Sequence, residues 1–304
     1  MRILFISSEV EGKPTSYVEE QGESLRKLGL EVKYFLVYRK GIVGYLKSFK
    51  KLCFEIKKYK PNVIHAHYGL CGLLANLQRK VPVVTTYHGS DINIPKIRIL
   101  SRISIFLSRY NIFVSAKQIE IIKPKKKFSI LPCGININLF FPIEKAKARA
   151  KMNLPLNKNL ILFSNYFSTY VKNAPLAIEA TKRIPNSQLI ELKGYTKEEV
   201  CLLMNASDVC LMTSFIEGSP LFIKEAIACN RPIVSTNVGD VAELLSGIDG
   251  CFICSYEIED VVKKLNFAIQ YKEINAREKV FYYNEDKIAK SINEIYLLVA
   301  YGNK

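Results

Sequence analysis

Short apolar runs rich in β-branched residues alternate with helix-patterned segments along the whole chain, and this alternation constrains the fold more than any other feature. In the first half the runs are Arg2–Ile6, Val32–Val37, Val63–His67, Val81–His88, Ile112–Ser115 and Phe128–Leu131, with periodic segments such as Tyr17–Leu28 between them. The second half continues with Leu160–Asn165, Gln188–Leu192, Val209–Thr213, Pro232–Thr236 and Cys251–Cys254. Runs of this kind are parallel strands covered by helices on both faces. The expected class is α/β, with two Rossmann-like, doubly wound domains.

A chain of 304 residues suits two cores better than one. The first domain is expected over residues 1–142 and the second over 143–304. The switch falls across Phe141–Asn159, where a charged helical piece, Glu144–Met152, leads into the polar turn Pro155–Asn159. The last helical pattern, Glu285–Val299, is a candidate to cross back onto the first domain. Ligands of doubly wound sheets bind beyond the carboxyl ends of the strands. The site is therefore expected in the cleft between the two sheets.

Charge is divided unequally. Residues 1–142 hold 24 Lys and Arg against 9 Asp and Glu, whereas residues 143–304 hold 20 against 19, so nearly all of the net +16 lies in the first half. An anionic partner for that half is implied: membrane phospholipid, a phosphorylated acceptor or nucleic acid. Nucleic acid ranks last, because neither an aromatic stacking pattern nor a helix-turn-helix signature accompanies the charge. The start, Met-Arg-Ile-Leu-Phe-Ile, is too short an apolar run for a signal peptide, and no stretch approaches the roughly 20 apolar residues of a membrane span. A cytoplasmic location is the expectation. The eight cysteines lack the spacing of a disulfide framework, and the lone pair Cys251 and Cys254 reads as strand-edge packing.

The segment Ile216–Ala226, Ile-Glu-Gly-Ser-Pro-Leu-Phe-Ile-Lys-Glu-Ala, carries the strongest chemical signal. Gly218 allows a close backbone approach, Ser219 is a good N-cap and Pro220 suits a first helical turn, so the amides through Leu221 would face an anion. Glu217 and Glu225 flank that anion site. Carboxylates beside a phosphate site suit hydroxyl recognition, as in a nucleotide sugar. Lys172 follows the strand Leu160–Asn165 and opens the helix Ala174–Arg183, a place from which it could pair with a diphosphate.

The three histidines lie at strand ends. His88 closes Val81–His88 and opens the turn Gly89-Ser90-Asp91, while His65 and His67 share one face of their strand. Structural or acceptor-side roles rank ahead of metal ligation, since no carboxylate is suitably spaced. Gly-x-Gly-x-x-Gly, the P-loop and Asp-x-Asp are all missing, which counts against dinucleotide oxidoreduction, NTP hydrolysis and a metal-held leaving group. Two stretches are amphipathic, Tyr45–Lys60 and Ile97–Tyr110. Each reads equally as a core-facing helix with a solvated charged side or as a membrane-surface helix. The run Lys123-Pro124-Lys125-Lys126-Lys127 adds charge without periodicity and suits lipid headgroups.

Taken together these motifs resemble the retaining glycosyltransferases of family 4, whose fold is the two-Rossmann GT-B fold. The resemblance rests on Glu217-x7-Glu225, His88-Gly89-Ser90-Asp91, Lys172-Asn173, Cys133-Gly134 with Phe140 and Pro142, and Val238-Gly239-Asp240-Val241-Ala242-Glu243, in the family's order. It implies that Glu225 binds a ribose, that Glu217 contacts the donor sugar, and that Lys172 with the amides of Gly218, Ser219 and Leu221 around Pro220 holds the diphosphate. His88 would touch the donor sugar near the reacting carbon, as the second catalytic residue beside Glu217. His67, Ser90 and Asp91 fall on the acceptor side. Transfer would retain the anomeric configuration without metal or other cofactor, from a nucleoside-diphosphate sugar to a glycan or lipid-linked glycan, at the inner face of the cell membrane. Two departures stand out: Ser164–Thr169 lacks the usual phosphate-binding Arg, and Glu9-Val10-Glu11-Gly12-Lys13-Pro14 replaces the usual Gly-Gly loop. A catalytically silent nucleotide-sugar or glycan-binding subunit is the alternative they leave open.

Overall fold

The computed structural model describes residues 1–9, 12–38, 41–125 and 127–302; Val10, Glu11 and Lys126 of the loops noted above lie outside them, as do the side chains of Tyr45 and Leu46. Two compact units emerge, one of Met1–Gly134 with Glu285–Lys304 and one of Ile135–Asn284.

In the first unit, β1 (Arg2–Ser8), β2 (Glu31–Val37), β3 (Val63–His67), β4 (Val83–Tyr87), β5 (Tyr110–Phe113) and β6 (Phe128–Ile130) form one sheet in the order β2-β1-β3-β4-β5-β6, every pairing parallel. Alternation along β1 divides the core. Ile3 and Phe5 pack with α1 (Ser16–Lys27) and the chain's last helix, whereas Leu4 and Ile6 pack with α2 (Gly41–Tyr59) and α3 (Gly69–Asn76). The helices α4 (Ser90–Asn93), α5 (Pro95–Leu107) and α6 (Ala116–Ile122) complete the connections.

The second unit opens with α7 (Lys145–Lys151) and holds a parallel sheet of β7 (Asn159–Phe163), β8 (Ser187–Ile190), β9 (Val209–Met212), β10 (Ile233–Thr236) and β11 (Cys251–Cys254), ordered β11-β10-β9-β7-β8. Leu160 and Leu162 face a core that includes α9 (Lys197–Ala206), α10 (Leu221–Ala228) and α11 (Val241–Leu245). Ile161 and Phe163 face α8 (Ala174–Lys182) and α12 (Ile258–Ile269). Cys251 and Cys254 sit on the edge strand as free thiols.

The division of the chain differs from the one read from the sequence. Residues 135–142 go with the second unit, because Ile135 and Phe140 are buried in its core and Arg277 donates to the carbonyls of Ile137 and Phe140, each at 2.6 Å. The chain returns at α13 (Glu285–Tyr301), which packs against α1 and β3 in the first unit. Its anchor is Tyr296, whose hydroxyl lies 2.5 Å from His65 Nδ1, while His65 Nε2 meets Thr86 Oγ1 at 2.7 Å.

The two amphipathic stretches resolve differently. On α2, Phe49, Leu52 and Ile56 belong to a core cluster, so that helix turns its apolar stripe inward. On α5 the buried residues are Ser101, Ser104 and Ile105, and the large side chains of Ile99, Ile103 and Phe106 face outward. No described helix is long and apolar enough to cross a membrane.

Candidate functional site

Each unit gathers its expected site residues at the carboxyl ends of its strands. In the second unit three loops are stitched together. Phe215 N–H, after β9, donates to Val171 O at 2.9 Å, and Thr213 Oγ1 donates to the carbonyls of Lys172 and Asn173 at 3.0 and 2.9 Å. Thr236 Oγ1, closing β10, donates to Ser214 O at 2.7 Å. Asn173 adopts φ +53° between the short turn that carries Lys172 and α8. These bonds set Lys172 Nζ 2.6 Å from Glu217 Oε1, with both side chains partly buried. Glu225, buried on α10, accepts from Lys197 Nζ at 2.9 Å at the start of α9. The paired glutamates are thus each matched with a lysine from a neighbouring loop or helix start.

Ser219 does not cap the helix as its sequence position suggested. The N-cap is Pro220, which supplies no side-chain bond, and α10 begins at Leu221. The Ser219 hydroxyl is committed elsewhere: it donates to Asp240 Oδ2 at 2.5 Å and accepts from Lys224 Nζ at 2.6 Å. Lys224 is fully buried, its ammonium 5.0 Å from the centre of the Tyr283 ring. Burial raises the Asp240 carboxyl above the ordinary carboxylate range, opposed by the Lys224 charge and the Ser219 bond. The close approach expected at Gly218 is real, but Gly239 is the residue that requires it. At φ +55°, Gly239 lies so near that an added Cβ would sit 2.4 Å from Gly218 O.

The first unit builds an aromatic stack. His65 and His67 are stacked at 4.5 Å between ring centres, and His67 and His88 at 5.3 Å. Nδ1 of His67 lies 3.1 Å from Nε2 of His88, and Cys133 Sγ lies 3.6 Å from the other nitrogen of His88. Tyr17 and Tyr68 flank the His88 ring at 4.8 Å each, and their hydroxyls are hydrogen-bonded to one another. Tyr68 holds its place with φ +74°, an uncommon conformation for a bulky residue. Burial drives His65 and His88 down to about 3 and His67 well below its ordinary value, so all three rings are neutral near pH 7. His88 thus carries no fixed charge and both of its nitrogens already have partners, so a bond to a hydroxyl there requires exchange with Cys133 or His67.

Asp91 faces inward rather than toward an acceptor. Its carboxylate accepts from Gly89 N–H at 2.9 Å and Gly69 N–H at 3.1 Å, tying the β4 exit loop to the start of α3, and burial raises it to about 6. Ser90 beside it is exposed at the first position of α4. No cluster of three or more His, Cys, Asp or Glu suited to a metal occurs among the described residues.

Sequence reasoning did not single out Tyr17, Tyr68, Lys197 or Lys224 for the site. Lys197 had no signal, since it meets Glu225 only through the fold. Lys224 stands inside the Glu217–Glu225 segment, where nothing local shows that a lysine there is buried.

Two family descriptions match the chain, one in each half. "Glycosyltransferase Family 4" fits residues 12–139, and "Glycosyl transferases group 1" fits residues 161–270. The chain belongs to the family 4 glycosyltransferases. Among relatives of this family 4 chain is the putative teichuronic acid biosynthesis glycosyltransferase TuaC of Bacillus subtilis, 26% identical over 252 residues, which cover 70% of this chain and 61% of that protein. The match thus spans about three fifths of that relative. The Escherichia coli UDP-Gal:alpha-D-GlcNAc-diphosphoundecaprenol alpha-1,3-galactosyltransferase is 24% identical over 283 residues, covering 77% of this chain and 73% of that one. Sucrose-phosphate synthase from Thermosynechococcus elongatus has the same fold, with a TM-score of 0.82 at 18% identity over 97% of this chain and 98% of that one. The two doubly wound units are those of the GT-B fold.

Proposed function

We propose that this family 4 chain transfers a sugar from a nucleoside-diphosphate sugar to a glycan or lipid-linked glycan used in cell-surface polysaccharide synthesis. The observation that carries the reading is the Lys172–Glu217 pair, with Glu225 in the middle of α10 paired to Lys197 at the start of α9. A lysine and a helix start suit a diphosphate, and two carboxylates suit the hydroxyls attached to it. The names of the relatives support the same class, since one uses a UDP-sugar and a diphosphoundecaprenol-linked acceptor.

In the proposed reaction the bond from the sugar's anomeric carbon to the phosphate oxygen breaks, and the acceptor oxygen bonds to that carbon on the same face. The acceptor's proton passes to the departing phosphate. Lys172 and the amides about Ser219–Leu221 would stabilise the leaving diphosphate, Glu225 would bind the ribose, and Glu217 and His88 would orient the donor sugar. His67 and Ser90 would lie on the acceptor side, where Asp91 shapes the loop. The proposal includes no metal or other cofactor and places the protein at the inner face of the cell membrane.

The absence of an Arg in Ser164–Thr169 favours one second reading, a nucleotide-sugar or glycan-binding subunit without turnover. A panel of nucleotide sugars, each offered with membrane extract as acceptor, separates the two. Transfer that disappears in Glu217→Ala supports the enzyme. Saturable nucleotide-sugar binding with no transfer to any acceptor supports the silent subunit.

A further inference from the structure

Helix α5 is built inside out. Its inner face is small and polar because α3 leaves no room for more: a Cβ added at Gly69 would lie 2.1 Å from Ser101 Oγ, and one at Gly72 would lie 2.2 Å from Ser104 Oγ. Ser101 Oγ is further tied to Asp91 O at 2.8 Å, and Ser104 Oγ accepts from Tyr87 OH at 3.2 Å. These contacts fix the helix's rotation. At about 100° per residue, the positions opposite them are Ile99, Ile103 and Phe106, which are 66%, 44% and 68% exposed. Lys96 and Arg102, both exposed, border that stripe on its two sides.

The surroundings are uniformly basic. Helices α2, α3 and α5 pack in one layer on one face of the sheet. Residues 41–110 hold twelve Lys and Arg and two carboxylates, Glu55 and Asp91. Neither carboxylate offsets the surface charge, since Asp91 is buried and Glu55 is bridged to Lys33 at 2.5 Å. A second copy of this layer would bring like charge against like charge, which argues against self-pairing.

We propose that the outer face of α5, with Ile99, Ile103 and Phe106 as its apolar stripe and Lys96 and Arg102 beside it, docks on an anionic lipid bilayer. The apolar stripe enters the boundary between headgroups and acyl chains, while the bordering cations and the α2 lysines meet lipid phosphates. This deepens the membrane-side placement proposed above, yet it does not depend on sugar transfer. Vesicles without donor or acceptor suffice to test it.

The test is flotation of the full chain with vesicles of phosphatidylglycerol and phosphatidylcholine, against vesicles of phosphatidylcholine alone. At about 50 mM salt the anionic vesicles should retain at least about tenfold more protein, and about 0.5 M salt should erase the preference. Ile99→Ser with Ile103→Ser should lower retention about tenfold, and Lys96→Glu with Arg102→Glu should lower it by a similar factor. Unchanged thermal midpoints would show that both doubly substituted chains fold. Wild-type retention in the isoleucine pair would overturn the proposal, leaving charge alone as the cause. So would a concentration-dependent dimer that the same pair abolishes. Loss of sugar transfer with vesicle binding intact would count only against the transferase reading.

Discussion

Lys172 Nζ donates to Glu217 Oε1 at 2.6 Å, joining the loop after β7 to the loop after β9 across 45 positions of sequence. A diphosphate arriving near Lys172 would compete with that carboxylate for the ammonium. Exchange of partners would free Glu217 to accept from a sugar hydroxyl. Lys172→Ala should therefore weaken donor binding, by the roughly 10- to 100-fold expected of a lost charge-assisted hydrogen bond. Glu217→Gln keeps the shape and removes the charge; it should lower kcat by about 100-fold while changing donor affinity less than Lys172→Ala does. Calorimetric titration with donor, alongside steady-state rates, checks both. Equal losses of affinity in the two variants would contradict the unequal roles.

The strands were legible because buried parallel strands leave continuous apolar runs, and Val63–His67 and Cys251–Cys254 coincide with β3 and β11 to the residue. The unit boundary was not, because Ile135 and Phe140 look like linker residues until the core that covers them exists. His65 at its strand end was open to a structural or an acceptor-side role; its partner Tyr296 is 231 positions away, and no local pattern announces the bond that makes it structural. Amphipathicity has a period but no sign. The repeat in Ile97–Tyr110 could not say which side faces the core, and the steric fit of Ser101 and Ser104 against Gly69 and Gly72 decides it.

Lys224 holds a buried position that only its partners make tolerable. Replacing it with Met leaves Asp240 buried beside Ser219 without its cation, and removing one member of a buried charged pair costs about 3–5 kcal/mol. Burial raises the Asp240 carboxyl in the fold, so the folded state keeps its proton where the unfolded chain has lost it. The resulting penalty is complete at neutral pH, starts to lift as pH falls through the folded value and is gone below the unfolded one. Lys224→Met should therefore recover stability relative to wild type on acidification. Adding Asp240→Asn should restore much of the loss at pH 7. Urea unfolding of the single and double variants across pH measures the coupling.

The histidine stack makes the first unit acid-sensitive. Folded His65 and His88 titrate near 3 and His67 also well below normal, whereas unfolded histidines take up protons from about pH 6.5 downward. The stack's stability is complete above that value and is lost as pH falls toward the folded values. Asp91 acts in the opposite sense, since it keeps its proton in the fold up to about 6. Near pH 5 unfolding thus takes up a net of roughly two protons from these four groups, a slope of about 2.7 kcal/mol per pH unit. His67→Gln should flatten the dependence between pH 6.5 and 4.5, and Asp91→Asn should steepen it. Thermal melts at several pH values read both.

Gly239 offers a test of whether the glutamate loop must be held where it is. Its φ of +55° disfavours a side chain, and an added Cβ would meet Gly218 O at 2.4 Å and Gly218 C at 2.9 Å. Both are backbone atoms, so relief requires the Glu217–Pro220 segment to move. Gly239→Ala should cost about 1–3 kcal/mol from the backbone conformation and should shift Ser219 away from Asp240. The larger effect is expected on function, because a displacement of about 1 Å in a positioning loop can cost about 100-fold in rate. Donor titration and kinetics on Gly239→Ala should then reproduce the losses of Lys172→Ala and Glu217→Gln together, though neither residue is altered. Near-wild-type kinetics in a destabilised Gly239→Ala would mean that the loop tolerates the shift, and that Lys172 and Glu217 do not depend on its position.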